Sequence, residues 1–327
     1  MDEKELVQNQ CRIGNVTYVK AAMDEFGTQA VFAAKADSRD VYWWGDITIV
    51  ASCLIIAAAN GRNDLVSSLL ARGVEVDQRD EQQATALYRA AQNGHTKTTT
   101  ILLDARAQVD ARNIYCRTPL HQSAWNGQAN TTTILLHGGA DVDARDYSFK
   151  TPLHFSAENG RTNATKALLG AGAKVDARDN LFKTPLHHAV ANGNLKTTRT
   201  LLGSGANVEA RDRENRTPLH WAVGNSHAEA TKILLHAGVE VNAMGADEKT
   251  PLHISAEYGL AEIARILLDA GAEVDARDRR NMTPLHYSTE RSNDKNSYND
   301  KDSYAETTRI LLDAGAKNQR RGANGDL

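Results

Sequence analysis

"KTPLHFSAENG" occupies residues 150–160, and its opening motif returns along the chain at a fixed interval. Thr-Pro-Leu-His stands at 118–121, 151–154, 184–187, 217–220, 250–253 and 283–286, each start 33 residues after the last. A constant period of this length is the signature of stacked supersecondary units. Each residue type has a local task. Thr suits a helix N-cap, and Pro suits the first helical position, where its missing N–H costs nothing. A short helix then reaches a glycine able to take a left-handed cap, at Gly94, Gly127, Gly160, Gly193 and Gly259. A second helix, apolar in its later half as in Ile266-Leu267-Leu268, ends at Gly139, Gly172, Gly205, Gly238 or Gly271. A stretch of the Val-Asp-Ala-Arg-Asp type leads back to the next cap.

The phase extends beyond the perfect copies. Thr85-Ala86-Leu87-Tyr88 and Ser52-Cys53-Leu54-Ile55 fall in register, and a degenerate first unit starts at Glu5, which makes nine units. The expected organisation is a degenerate N-terminal repeat over 1–27, an insertion over 28–51, seven regular repeats over 52–282, a last repeat over 283–316 and a tail over 317–327. The step from Glu5 to Ser52 is 47 residues, 14 more than the period. The last repeat contains a polar run, RSNDKNSYNDKDSY at 291–304, with the composition of a solvated loop. Two short helices cannot bury their apolar faces alone, but stacked copies do so continuously.

The T-P-L-H-x-A signature and the length of 33 resemble the ankyrin repeat over nearly the whole chain. The resemblance implies an all-α solenoid of helix-turn-helix units with projecting β-hairpin fingers. Arg106 and Ser226 depart from it, standing where the pattern has Gly. Each is expected to cost about 1 kcal/mol in a left-handed conformation. Thr98, Thr99, Thr131, Thr132, Thr197, Thr198, Thr307 and Thr308 replace aliphatic residues in the second helices. Threonine keeps the β-branched shape of valine and can bond a carbonyl one turn back, so a slightly weakened core is expected of them rather than a phosphorylation array.

With 41% hydrophobic residues and 6 prolines the chain can bury a core. A net charge of -3 argues against nucleic acid as the main partner. Cys11, Cys53 and Cys116 are few and widely separated, which points to reduced thiols in a reducing compartment. The beginning MDEKEL lacks a secretory pattern, and Ile47–Ala59, the most apolar stretch, is too short to span a bilayer and reads as a buried helix. The expected location is cytoplasmic, or a host cell if the protein is a delivered effector.

The row His121, His154, His187, His220, His253 and His286 invites a metal or catalytic reading. Geometry opposes it: stacked helices lie about 8–10 Å apart, and one metal needs its imidazole nitrogens within about 2.1 Å. The resemblance implies that these histidines are hydrogen-bonding struts between the Thr-containing loops. No phosphate-cradling loop, nucleophile elbow, His-Glu-x-x-His or Cys-x-x-Cys motif occurs in the sequence. No cofactor is expected, and a small-molecule substrate is disfavoured because a repeat groove is shallow. Asp110, Asp143, Asp176 and Asp275, beside Arg112, Arg145, Arg178 and Arg277, read as a charge-balanced solvated face.

Recognition is expected where the units differ. The resemblance places such positions at the finger tips and just before the first helix's glycine, both facing the concave groove. Three successive tips carry large apolar residues, Ile114 and Tyr115, Tyr147 and Phe149, and Leu181 and Phe182, followed by Arg117, Lys150 and Lys183. Trp125 takes the groove position of the same region. Exposed aromatics and Arg are the material of interface hot spots. These ten residues are the expected contacts for a protein partner. Phe32, Tyr42, Trp43 and Trp44, in the insertion, are a second candidate, weighed against a role in covering the end of the stack. The expected function is non-catalytic protein recognition as adaptor, inhibitor or effector. The alternatives are the regulatory arm of a larger enzyme and a spacer with no specific partner.

Overall fold

A computed structural model describes residues 9–10, 47–293 and 301–317. The degenerate first repeat (apart from residues 9–10), the aromatics Phe32, Tyr42, Trp43 and Trp44 and the middle of the polar run lie outside the described residues. The chain forms two compact units, Met1–Lys174 and Val175–Leu327. Among the described residues both are helical and no strand occurs.

In the first unit the helices are α1 (Ile47–Ala59), α2 (Asn63–Ala71), α3 (Ala86–Asn93), α4 (Thr96–Asp104), α5 (Pro119–Asn126), α6 (Ala129–His137), α7 (Pro152–Glu158) and α8 (Thr162–Gly170). They stack as pairs: α1, α3, α5 and α7 form one layer in sequence, and α2, α4, α6 and α8 form the other. Leu120, Leu153, Leu135 and Leu168 fill the space between the layers, all with no solvent exposure. The second unit repeats the plan. Its first layer is α9 (Pro185–Ala191), α11 (Pro218–Gly224), α13 (Pro251–Glu257) and α15 (Pro284–Asn293). Its second layer is α10 (Leu195–Gly203), α12 (Ala228–His236), α14 (Ala261–Asp269) and α16 (Lys301–Asp313).

The repeated residues act as the sequence implies. Thr118 and His121 form a reciprocal cap on α5, and the same pair recurs on α7, α9, α11 and α13. The Thr118 N–H donates to His121 Nδ1 at 3.1 Å, so that nitrogen is an acceptor and the ring proton resides on Nε2. Nε2 donates onward to the Lys150 carbonyl at 3.1 Å, one unit further along. His187, His220 and His253 reach the carbonyls of Arg216, Lys249 and Met282 in the same way. Each histidine is therefore a strut between its own cap and the next finger. Left-handed caps occur at the expected glycines, and Arg106 (φ 63°) and Ser226 (φ 60°) keep that conformation without being glycine. Of the second-helix threonines, seven are buried and Thr308 is half-buried. Thr132 bonds Ser123 at 3.0 Å and Thr308 bonds Ser288 at 2.9 Å.

The apolar stretch expected to be a helix is α1, Ile47–Ala59, which runs through Ser52 because no Pro follows that residue to fix a start there. Two expectations are corrected. The run 291–304 is not wholly a solvated loop. Arg291 to Asn293 continue α15, and α16 starts at Lys301, with Tyr304 only 3% exposed beneath Gly259. The Asp/Arg ladder is more than a solvated face. In the first unit Asp77, Asp110 and Asp143 accept the backbone N–H of Gln108, Asp141 and Lys174. In the second, Asp176 and Asp275 accept from Asn207 and Lys317. Arg79 and Arg112 donate to the carbonyls of Arg112 and Arg145, at 2.7 and 2.9 Å. Carboxylates and guanidiniums thus stitch neighbouring turns together.

Candidate protein-contact surface

The fingers are turns rather than paired strands. In the third finger of the first unit, the Asp146 N–H donates to the Lys150 carbonyl and the Phe149 N–H to the Asp146 carbonyl. The next rung would need the Lys150 N–H, which instead donates to Asp146 Oδ1 at 3.0 Å, beside that of Ser148 at 2.8 Å. The carboxylate replaces the ladder and closes the tip as an Asx turn. Asp80, Asn113, Asp179, Asp212 and Asp278 make the same pair of bonds in their own fingers.

In four fingers the second oxygen of this residue ties the finger to the first helix of its own unit, whereas the Asn113 amide donates to the Tyr88 hydroxyl of the preceding unit. Asp80 Oδ2 receives Arg89 Nε at 2.9 Å. Asp179 Oδ2 receives His188 Nε2 at 2.9 Å, Asp212 Oδ2 receives Trp221 Nε1 at 3.0 Å, and Asp278 Oδ2 receives the Tyr287 hydroxyl at 2.6 Å. Burial alone would raise the pKa of Asp179, Asp212 and Asp278. The hydrogen bonds they receive outweigh it and hold all three below the ordinary carboxylate range. Where the helix position is Phe155, with no polar atom, Arg117 of the preceding finger supplies the donor, at 3.4 Å from Asp146. Gly245 stands where the other fingers have Asp or Asn, and its helix partner is Ile254, so both ends of the latch are missing together. At this place a cleft of about 310 Å³ opens in the second unit, lined among others by Trp221, Gly224, Lys249, Ile254, Glu257 and Tyr258.

The structure divides the ten expected contact residues. Ile114, Tyr115, Tyr147, Phe149, Leu181 and Phe182 lie at the tips, with exposures between 41% and 70%. They are six of the nine large apolar side chains exposed among the described residues. The bases after them are turned inward. Arg117 lies 4.8 Å from the Trp125 ring and 4.7 Å from Phe155. Lys150 pairs with Glu158 at 2.8 Å, and Lys183 sits 3.7 Å from the Trp221 ring. Trp125 is half-buried and stacks on Phe155 at 5.1 Å. These bases and Trp125 therefore brace the tips. Sequence reasoning missed the helix position after His, where Phe155, His188, Trp221 and Tyr287 sit. Its signal was a variable residue nine places after the finger's Asp.

No helix among the described residues is long and apolar enough to cross a membrane. A family model described as "Ankyrin repeats (3 copies)" matches residues 54–146, 153–245 and 242–322. No curated protein sequence matches the chain. Among solved structures it is similar to the ankyrin repeat domain of Bcl-3, described as a unique member of the IkappaB protein family. The TM-score is 0.60 at 26% identity, over 71% of this chain and 100% of that one. A 33-residue unit with reciprocal Thr/His caps, paired helices and turned fingers, matched over most of its length, makes this chain a member of the ankyrin-repeat family.

Proposed function

We propose that the chain is a non-catalytic protein-recognition module, serving as an adaptor, inhibitor or effector, and that it meets its partner through the finger tips. One observation carries this reading. Phe149 and Phe182 adopt left-handed backbone conformations, φ 57° and 60°, yet remain about half exposed. The left-handed turn itself is common to the fingers, at Gln83, Cys116, Asn215, Glu248 and Asn281 as well. What sets Phe149 and Phe182 apart is that large rings, each beside an arginine, Arg145 or Arg178, stand half exposed, and exposed aromatics beside arginine are the material of contact sites. Ile114, Tyr115, Tyr147, Phe149, Leu181 and Phe182 form the contact set, while Arg117, Trp125, Lys150 and Lys183 hold it in shape. Phe32, Tyr42, Trp43 and Trp44 remain the second contact candidate. A reducing, cytoplasmic location is supported by the unpaired Cys53 and Cys116.

The test compares pulldowns from native extract by the wild type and by a Tyr115→Ala/Tyr147→Ala/Phe149→Ala/Phe182→Ala variant, with folding of both checked by circular dichroism. Loss of a specific partner from the folded variant is the expected result. An unchanged partner set would clear the tips and favour the spacer reading or the 28–47 insertion.

A further inference from the structure

The two apolar tips of the first unit, 112–117 and 145–150, carry charge of one sign toward solvent. They hold four bases, Arg112, Arg117, Arg145 and Lys150, and one acid, Asp146, hence a formal +3 on a chain whose total is -3. Asp146 is 7% exposed, and its oxygens are taken by the Ser148 and Lys150 N–H groups and by Arg117. Arg117 and Lys150 are committed to Asp146 and Glu158. What faces outward is Ile114, Tyr115, Tyr147 and Phe149 beside two exposed guanidiniums, Arg112 and Arg145, the latter 5.7 Å from the Phe149 ring. The acids two residues upstream, Asp110 and Asp143, are engaged by backbone N–H groups of the following turn. The tips are also coupled: the Tyr147 N–H donates to the Tyr115 carbonyl at 3.3 Å, and Arg112 donates to the Arg145 carbonyl.

We propose that these two tips dock an acidic protein segment whose large apolar side chains sit against Ile114, Tyr115, Tyr147 and Phe149, with its carboxylates on Arg112 and Arg145. This rests on the recognition reading above and adds the chemistry of the partner. Charge complementarity selects it, since these two tips expose bases while their own acid, Asp146, is buried, and the exposed carboxylate of Glu81 belongs to the preceding finger. A cationic pair of tips attracts carboxylates and repels its own kind. A second copy joined through the same patch is disfavoured, because a two-fold interface would set these guanidiniums against each other. A nucleic acid is disfavoured because phosphate binding needs several exposed bases along a track, and here there are two on an acidic chain, one of them already donating to a carbonyl.

The probe is a phage-displayed library of random dodecapeptides panned against the full chain, with enriched peptides measured by fluorescence anisotropy. Enriched sequences are expected to join large apolar residues to Asp or Glu. Their binding should disappear with Tyr147→Ala/Phe149→Ala, weaken about fivefold with Arg145→Glu, and weaken as salt rises in the wild type. Arg145→Glu keeps the backbone carbonyl that Arg112 uses, and the salt series needs no variant, so a folding defect cannot imitate the result. Neutral or basic peptides that need the tips but ignore Arg145→Glu would overturn the acidic partner and leave the recognition reading standing. Enriched peptides indifferent to the tip alanines would overturn both. No enrichment, or tip-dependent binding of a labelled single-stranded oligonucleotide in competition with the peptides, would overturn the inference.

Discussion

Thr99 shows what one buried atom is worth in a repeated setting. Its side chain has no solvent exposure, and its hydroxyl has no partner among the described residues. One unit further on, Thr132 finds Ser123, but the unit of Thr99 has Ala90 at that place. One unit earlier the position is Val66, itself wholly buried. Thr99→Val should therefore raise stability by about 1–2 kcal/mol, the cost of an orphaned buried hydroxyl. Urea unfolding checks it, and a loss of stability would reveal a partner for the hydroxyl. The histidine struts make a second prediction. Burial pushes His121, His187 and His220 down to about 4, from an ordinary value of 6.5. Protonating Nδ1 would turn an acceptor of the Thr N–H into a donor facing it. Between about pH 6.5 and 4 the unfolded chain takes up protons that the folded chain refuses, so stability falls as pH falls across that window. The loss is on the order of 3 kcal/mol per histidine over the full window. A urea midpoint flat from pH 7 to 4.5 would contradict it. The carboxylate latches, whose folded pKa values are lowered, lose their stabilisation only below about pH 4, so the two effects separate.

At the scale of the element, a finger is a turn held by one side chain rather than a short hairpin. Asp212 alone accepts the Glu214 and Arg216 N–H groups, the Trp221 indole and the Arg216 guanidinium. Asp212→Ala leaves these donors without their carboxylate and should cost about 2–4 kcal/mol. Thermal unfolding measures the cost, and hydrogen exchange should speed at the amides of Glu214 and Arg216. Unchanged exchange there would show that backbone bonds suffice. The helices were legible in the sequence because their signals are local: Thr-Pro begins one, glycine ends it, and the 33-residue period repeats both. The apolar tips were legible because three of them break a polar pattern. The inward turn of Arg117, Lys150 and Lys183 was not legible, since it depends on rings 38, 5 and 38 residues further along the chain that only folding brings alongside. The latch was half legible. The residue nine after each finger's Asp changes freely, yet Gly245 and Ile254 lose their polar groups together.

In each unit of the molecule, helices touch their own partner and the neighbours on either side. Stability is then a sum of nearest-neighbour terms, and a local lesion need not be shared by the whole. Leu186, in α9, is wholly buried. Leu186→Ala should cost about 2–5 kcal/mol and split denaturant unfolding into separate phases. A single transition as late as that of the wild type would refute this. The carboxylate ladder adds a further consequence. Asp77 to Gln108, Asp110 to Asp141 and Asp176 to Asn207 each span 31 residues, whereas Asp275 to Lys317 spans 42. The eleven extra residues change the count but not the handshake. A unit takes its place from the neighbour that grips it, not from its distance along the chain. The last repeat therefore holds eleven extra residues within its helix pair, partly as longer helices, while its closing turn keeps the same grip on the unit before it.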